Sequence, residues 1–153
     1  MGKIIGIQIA AEGEGKLEAV DQVKAVAGQG LEGDRYFFKT GTYSKKHDSS
    51  REATFIEAEA LDALNRDYHL ELNGPESRRN ITTRGVALNH FVGKTFRAGG
   101  AVFKGVRLCE PCGHLEQMTG RQVRPGLVHR GGLRAEILES GVVNVGDAVE
   151  LIE

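Results

Sequence analysis

The sequence has 153 residues, of which 40% are hydrophobic and 27% charged, a length and composition typical of one folded domain with a real core. Its 20 Lys and Arg against 21 Asp and Glu give a net charge of −1, which argues against a nonspecific nucleic-acid binder. No stretch approaches the roughly 18 apolar residues of a membrane span, and the start of the chain (MGKIIGIQI) is too quickly polar for a signal peptide. We therefore expect a single domain over residues 1–153, with neither nucleic acid nor membrane as a partner.

The counts of cysteine and glycine indicate the cellular location and the fold class that we expect. Two cysteines cannot build a disulfide framework, so a reducing cytoplasm is the expected location. Glycine occurs 21 times, about twice its usual share of ~7%. With only three prolines, this abundance indicates tight turns and short strands rather than a helical bundle.

The first third of the chain predicts strands and loops. Isoleucines alternate with other residues over 5–9, which is typical of a strand. Residues 11–16 are small, polar and glycine-rich and predict a loop. Residues 20–27 favour a strand because glycines follow at once. Residues 40–50 (TGTYSKKHDSS) are polar and without period, and we expect a mobile surface loop there.

The clearest helix signal follows a short strand predicted over 53–56. Apolar residues recur along one face of a 3.6-residue period, at Ile56, Ala60, Leu61, Leu64 and Tyr68. The sequence Asn73-Gly74-Pro75 then ends the helix.

The second half is crowded with strand and turn signals. Residues 95–98 and 101–108 flank Gly99-Gly100, a pair able to take the positive φ of a hairpin turn. Further strands separated by glycine turns are predicted over 133–138, 142–145 and 148–152, and a short helix near 114–119. Because strands do not alternate with long helices, the predicted fold class is mainly β (α+β), a closed or nearly closed barrel with one or two small helices.

Cys109-Glu110-Pro111-Cys112, with His114 close behind, is the sharpest chemical motif. Four interpretations stay open. Both cysteines are small buried side chains, or they belong to a zinc site, for which no second ligand pair closes the tetrahedron. They are a thioredoxin-like dithiol, although the motif follows a hairpin rather than a βαβ unit. Or Cys112 is a lone reactive thiolate that binds a soft metal or carries sulfur, with Arg107 and His114 supplying nearby positive charge.

Two arginine-rich segments predict anion binding, because the planar guanidinium grips phosphate or carboxylate with a fork of donors. The first is residues 78–85 (RRNITTRG), and the second surrounds the glycines of residues 121–134. A solvated basic loop is the alternative for each segment. Asp34, in the run Gly30-Leu31-Glu32-Gly33-Asp34-Arg35, is either an ordinary turn residue or a carboxylate that orients such a site.

Taken together and in this order, these segments resemble the MOSC domain family, named for the C-terminal domain of molybdenum-cofactor sulfurase. The matching pieces span roughly residues 28–152 and are 30–35 (GLEGDR), 53–64, 78–81 (RRNI), Cys109-x-x-Cys112, 130–135 (RGGLRA) and 141–151.

The resemblance implies a compact β-barrel that binds the molybdenum cofactor (molybdopterin). It also implies that Cys112 is the protein ligand to molybdenum or carries a persulfide, and that Arg79 and Asn80 lie on the side of the pterin phosphate. From charge and glycine context we add Arg130 and Arg134 as cofactor-binding residues. Asp34 joins them as an orienting carboxylate.

The family is also associated with pyridoxal phosphate, but 153 residues leave no room for a cysteine desulfurase domain that uses it, or for an electron-transfer module. We therefore expect a sulfur donor or an electron-transfer protein as partner, and a small-molecule substrate. Three functions follow: a molybdenum-dependent reductase of N-hydroxylated compounds, a noncatalytic carrier of sulfur or cofactor, or, outside the family, a small thiol-disulfide protein that uses Cys109 with Cys112.

Overall fold

A computed structural model describes residues 2–11, 16–38, 51–110, 127 and 129–152, with the side chains of Tyr36 and Phe38 left aside. The strands are β1 (Gly2–Ile9), β2 (Glu18–Val20), β3 (Gln22–Val26), β4 (Gly30–Leu31), β5 (Ala53–Glu57), β6 (Ile81–Arg84), β7 (Thr95–Ala98), β8 (Ala101–Leu108), β9 (Leu133–Glu139), β10 (Gly141–Asn144) and β11 (Ala148–Leu151). The helices are α1 (Arg35–Phe38) and α2 (Ala58–Tyr68), with short 3-10 turns at Pro75–Ser77 and Leu88–Phe91.

Seven of the described strands close into a barrel in the order β1-β11-β7-β8-β9-β5-β6, and β6 pairs again with β1. Neighbouring strands are antiparallel except β5 and β6, which run parallel and are connected through α2. Strand β2 extends the far end of β1, while β10, β3 and β4 form a separate small sheet. The predicted class, mainly β with a closed barrel, is confirmed.

The barrel interior is filled by residues that alternate along the strands. On β9, Leu133, Ala135 and Ile137 point inward and are buried, while Arg134 and Glu136 between them are half-buried. Phe55 packs edge-on against Phe96 and Phe103, with ring centroids 5.3 and 5.1 Å apart, a favoured geometry for aromatic pairs. The outward positions of β9 are therefore available for other contacts.

Helix α2 covers the outer face of the barrel beside β5 and β6. Its buried Ala60, Leu61 and Leu64 form a second apolar cluster with Ile56 and Leu72. The helix begins two residues later than the pattern suggested, because Ile56 pairs with β6 as part of β5. It ends at Tyr68, before the predicted stop at Asn73-Gly74-Pro75, because the backbone of His69 takes the left-handed conformation with φ of 56°, a common helix terminator.

Most of the other predicted elements are confirmed. The hairpin of 95–98 and 101–108 has the predicted bounds, and the strands expected over 5–9, 20–27, 133–138, 142–145 and 148–152 are present within two or three residues. Strand β6 was not predicted. The loop expected over 40–50 and the helix expected near 114–119 lie outside the described residues. Within the part of the chain described, no helix is long and apolar enough to span a membrane.

Candidate functional site

The candidate site is built where β8 ends, β9 begins and the chain enters β6. The backbone N–H of Cys109 donates to the carbonyl of Gly132 at 2.7 Å, which extends the β8–β9 pairing by one rung. The segment carrying Arg79 and Asn80 approaches the same place from the start of β6. Three of the sequence segments that predicted chemistry therefore meet here.

Arg79 connects these segments through its side chain, which is only 7% exposed. Its Nε donates to the carbonyl oxygen of Gly131 at 2.7 Å and its Nη2 to that of Cys109 at 3.1 Å. A longer contact of 3.5 Å joins Nη1 to the carbonyl of Ser77. All three acceptors are neutral, and Arg79 forms no ion pair within the described part of the chain. The structure therefore buries this positive charge without a counter-charge among the described residues.

Asn80 is fully buried and is hydrogen-bonded within the fold. Its Oδ1 accepts from the backbone N–H and the hydroxyl of Thr54, at 3.2 and 3.0 Å, and its Nδ2 donates to the carbonyl of Gln8 at 3.2 Å. Gln8 in turn donates from Nε2 to the carbonyl of Arg79 at 2.9 Å. Asn80 thus joins β5 and β1 and fixes the backbone that carries Arg79; its predicted contact with the cofactor stays a prediction.

Asp34 lies in the turn between β4 and α1, where it is fully buried beside Arg35, itself 4% exposed. Its Oδ1 accepts from Arg35 Nη1 at 3.1 Å and from the backbone N–H of Ala10 at 3.1 Å. Arg35 Nη2 also donates to the carbonyl of Arg78 at 3.3 Å. Asp34 therefore orients an arginine that touches the segment of Arg79; its predicted role at an anion site stays a prediction.

Arg130 and Arg134 flank the start of β9 in different surroundings. Arg130 is exposed, and its Nη2 makes a long contact of 3.5 Å with the carbonyl of Glu59. Arg134 is half-buried on the outer face of β9, where its Cα partners are Thr54 on β5 and Arg107 on β8. Because Thr54 bonds to Asn80, Arg134 lies one strand away from the buried polar cluster. The structure thus brings Arg134 close to Asn80, while Arg130 stays at the surface.

A contact that the sequence did not predict anchors the chain beyond Cys109. Glu110 accepts from the backbone N–H of His129 at 2.7 Å through Oε1, and its Oε2 lies 2.8 Å from His129 Nδ1. His129 has φ of 60° and its carbonyl accepts from Asn89 at 2.7 Å. Among the described residues, no group of three His, Cys, Asp or Glu side chains is placed to hold a metal ion. His129 thus connects Glu110, just after β8, with Asn89 in the second 3-10 turn.

The two cysteines differ in what the structure describes. Cys109 is a free thiol, 4% exposed, and its backbone N–H and carbonyl are bonded to Gly132 and Arg79. Cys112, predicted to be the reactive residue, lies outside the described residues, as do Arg121 and Arg124 of the second arginine segment.

Glu57, at the N-terminus of α2, has a perturbed carboxyl group near Arg130. Burial raises the pKa of Glu57, and the backbone N–H of Leu88, which donates to its Oε2 at 3.2 Å, partly opposes that rise. The neighbouring Glu59 raises this pKa further, while Arg130 and His90 lower it. The carboxylate stabilises the turn at Leu88 at the cost of its own desolvation.

An open cavity of about 390 Å³ borders the turn that carries Asp34. Ile9 and Val20 form apolar parts of its wall, Lys16 and Glu18 supply opposite charges, and Gly33 lies at its edge. Its volume is enough for a small organic molecule.

The family relationship rests on a match that covers most of this geometry. The family model of the MOSC domain matches residues 43–150, which includes β5, β6, Arg79, both cysteines and the β8–β9 pair. The chain belongs to the MOSC domain family. None of the curated proteins matches it significantly.

Solved structures of similar fold agree with this membership. The YuaD protein of Bacillus subtilis superposes with a TM-score of 0.78 at 16% identity, over 99% of this chain and 96% of that one. YiiM of Geobacillus stearothermophilus gives a TM-score of 0.77 at 16% identity, over 100% of this chain and 76% of that one. YiiM of Escherichia coli gives 0.71 at 18% identity, over 99% and 70%. At these identities the likeness establishes the MOSC fold.

Proposed function

We propose that this MOSC domain protein binds the molybdenum cofactor, with Cys112 as the protein ligand to molybdenum or as a persulfide carrier that delivers sulfur to it. The observation that carries the proposal is the buried guanidinium of Arg79, which has no carboxylate partner in the described chain and donates to the carbonyl of Cys109. Membership of the MOSC family, which is associated with this cofactor, supports the same conclusion.

The donor set fits the cofactor's chemistry. Burial of an unpaired charge is expensive unless an opposite charge compensates it, and three neutral carbonyls supply only dipoles to Arg79. A phosphate, the anionic end of the pterin, would supply a negative charge and accept from the guanidinium N–H groups that bind no oxygen of the described residues. Arg134 and the exposed Arg130 would add positive charge at the same end of β9.

The other residues act by holding this arrangement in place. Asn80 and Gln8 fix the backbone of Arg79, and Asp34 orients Arg35 against the carbonyl of Arg78. When bound, the cofactor would supply a two-electron redox centre. Cys112 would hold it as a thiolate, the form in which cysteine binds soft metals and attacks sulfur.

The burial of Cys109 bears on the alternative function of thiol-disulfide exchange. Exchange requires an accessible attacking thiolate, whereas Cys109 is 4% exposed and free. Its backbone instead closes the β8–β9 pair and receives Arg79. These contacts favour a structural Cys109 beside a reactive Cys112.

We propose a small-molecule substrate of the N-hydroxylated class if the cofactor stays bound, with an electron-transfer protein as partner, or a sulfur-donor protein if Cys112 carries sulfur. A free thiol at Cys109 suits the reducing cytoplasm, our proposed location.

Elemental analysis of protein made in a host that synthesises the cofactor tests the proposal. We expect about one molybdenum per chain, lost in Cys112→Ala and retained in Cys109→Ala, because only the former removes the proposed ligand. Sulfane sulfur on Cys112 without molybdenum would identify the carrier form. Equal losses in both cysteine variants, with a reversible dithiol-disulfide mass shift, would refute the proposal in favour of exchange.

Arg79 needs a matched pair of variants. Arg79→Lys keeps the charge and Arg79→Gln removes it, while both lose the fork that reaches Gly131 and Cys109. We expect Arg79→Gln to weaken cofactor retention by about 1.5–3 kcal/mol, the range for hydrogen bonds to charged groups, and Arg79→Lys to weaken it less. Equal cofactor occupancy in wild type and Arg79→Gln would remove Arg79 from the site.

A further inference from the structure

A pair of arginines faces outward from the barrel at one rung of the β8–β9 ladder. Arg107 and Arg134 are direct Cα partners, so their Cβ atoms lie about 5 Å apart on the same face. Arg107 is exposed and Arg134 half-buried. Neither side chain forms an ion pair or hydrogen bond with the part of the chain that the structure describes.

Like charges directly opposite one another destabilise a sheet, and the structure compensates the other basic rung of this kind that it describes. Lys3 and Arg84 are also Cα partners, on β1 and β6, but Arg84 Nη2 lies 3.0 Å from Asp62 Oδ2. The next rung on the same face of the sheet has opposite charges, since Lys104 lies opposite Glu136. Within the described residues, the rung of Arg107 and Arg134 is therefore basic without a carboxylate paired to it.

A β-bulge creates this pairing. Gly105 lies opposite Ala135, but the next partners are Arg107 and Arg134, so Val106 is the additional residue on β8. Without the bulge, alternation would put Val106 opposite Arg134 and turn Arg107 toward the barrel interior. Bulges often re-aim a side chain beside a functional site. The bulge is held in place because the N–H of Gly105 donates to the carbonyl of Lys94 at 3.0 Å.

We propose that Arg107 and Arg134 together form a binding site for a single phosphate-type oxyanion on the outer face of the barrel. Two guanidinium groups about 5 Å apart at Cβ can each donate a pair of N–H groups to one tetrahedral anion, which also cancels their mutual repulsion. The shared chemistry of the ligand is a terminal phosphate, either free or as a monoester. The site shares Arg134 with the proposed cofactor site, but phosphate binding by Arg107 and Arg134 does not require the cofactor.

The test is a titration of the cofactor-free protein, followed through the Nε–Hε signals of arginine in ¹⁵N-edited spectra. Inorganic phosphate is added at constant ionic strength, with chloride as the replaced anion. We expect saturable shifts of two signals, which the variants Arg107→Gln and Arg134→Gln identify by removing one each. The dissociation constant should rise about tenfold or more in either variant, as expected for losing one charge-assisted interaction.

Arg97→Gln is the matched control, because Arg97 is also an exposed outward arginine but lies opposite Glu150 on β11. It should leave phosphate affinity unchanged. Absence of a saturable shift, or the same affinity in Arg107→Gln as in wild type, would overturn the proposal. So would binding of an oligoglutamate peptide at these signals without phosphate binding, which would assign the pair to an acidic protein partner.

Phenyl phosphate distinguishes the two sources of the anion. Equal affinities for phenyl phosphate and inorganic phosphate support a site that recognises the phosphate group alone, and tighter binding of the ester supports an organic phosphate. If the protein binds phosphate here but takes up no molybdenum, that result supports this inference and contradicts the proposed function. The two proposals therefore fail separately.

Discussion

Replacing Asn80 by alanine should destabilise the protein strongly, because this side chain satisfies buried polar groups on two strands. It accepts from the N–H of Thr54 at 3.2 Å and donates to the carbonyl of Gln8 at 3.2 Å, with no exposure to solvent. Each buried backbone group left without a partner costs about 1–3 kcal/mol. Two such groups predict a loss of about 3–4 kcal/mol in the free energy of unfolding. The hydroxyl of Thr54, which also donates to Asn80, is not counted because it can rotate to another acceptor.

Urea denaturation followed by circular dichroism measures this loss. For a chain of this size, a loss of about 3 kcal/mol lowers Tm by roughly 10 °C. The matched control is Asn89→Ala, since Asn89 also donates from Nδ2 to a carbonyl, that of His129 at 2.7 Å, but is exposed. Water replaces that bond, so the change should stay within about 0.5 kcal/mol. Equal, small effects in the two variants would refute the reasoning.

Three further predictions concern the barrel and α2. Thr83→Val should stabilise the protein by about 1–2 kcal/mol, because the buried hydroxyl of Thr83 has no hydrogen-bond partner among the described residues. Thr82→Val, which removes an acceptor that Gln8 uses at 2.8 Å, should destabilise the protein, so the urea midpoints of the two variants should shift in opposite directions. Gly132→Ala should lower the free energy of unfolding by at least about 3 kcal/mol, since the new Cβ would overlap a backbone carbonyl of β5 at a positive φ of 114°. In Gly93→Ala the new Cβ meets open space, so only the strain of the positive φ should count, about 1–2 kcal/mol. The folded pKa of Glu57 is raised, so the contribution of Glu57 to stability is most favourable below the unfolded pKa and is lost as pH rises through the folded pKa. Glu57→Gln should therefore gain stability relative to wild type as pH rises from about 4 to about 7. A difference in Tm between the two proteins that stays constant with pH would contradict this.

The parts of the fold that were predicted correctly depend on local patterns. The hairpin of β7 and β8 follows from alternation on either side of Gly99-Gly100, and both glycine positions are needed because a Cβ would meet neighbouring atoms. Helix α2 follows from one apolar stripe. Local signals of this kind are present in the sequence before any long-range contact forms.

Strand β6 was missed because its residues carry signals of another kind. Thr82 turns outward and receives a hydrogen bond from Gln8, 74 residues away, so polar residues occupy positions where an apolar pattern would have indicated a strand. The arginines of the same segment indicate an anion-binding stretch instead. Its strand character comes from pairing with β1 and β5, which a single sequence does not display.

The candidate site shows the same limit. Charge and the family resemblance singled out Arg79, but its partners, the carbonyls of Gly131 and Cys109, lie 52 and 30 residues away. The pairing of Arg107 with Arg134 depends on a bulge that shifts the register by one residue. Neither the neutral partners of Arg79 nor this register can be predicted from the sequence alone.

The barrel closes through its most distant pair of strands. Gly2 pairs with Val149 and Lys3 with Ala148, and Ile4 exchanges backbone hydrogen bonds with Gly146 and Asp147 across the same seam. On a ribosome that adds about 5–20 residues per second, β1 is therefore synthesised roughly 7–30 s before β11. During that interval a nascent chain exposes an open sheet edge, so synthesis of this protein should be sensitive to chaperones that shield unpaired strands.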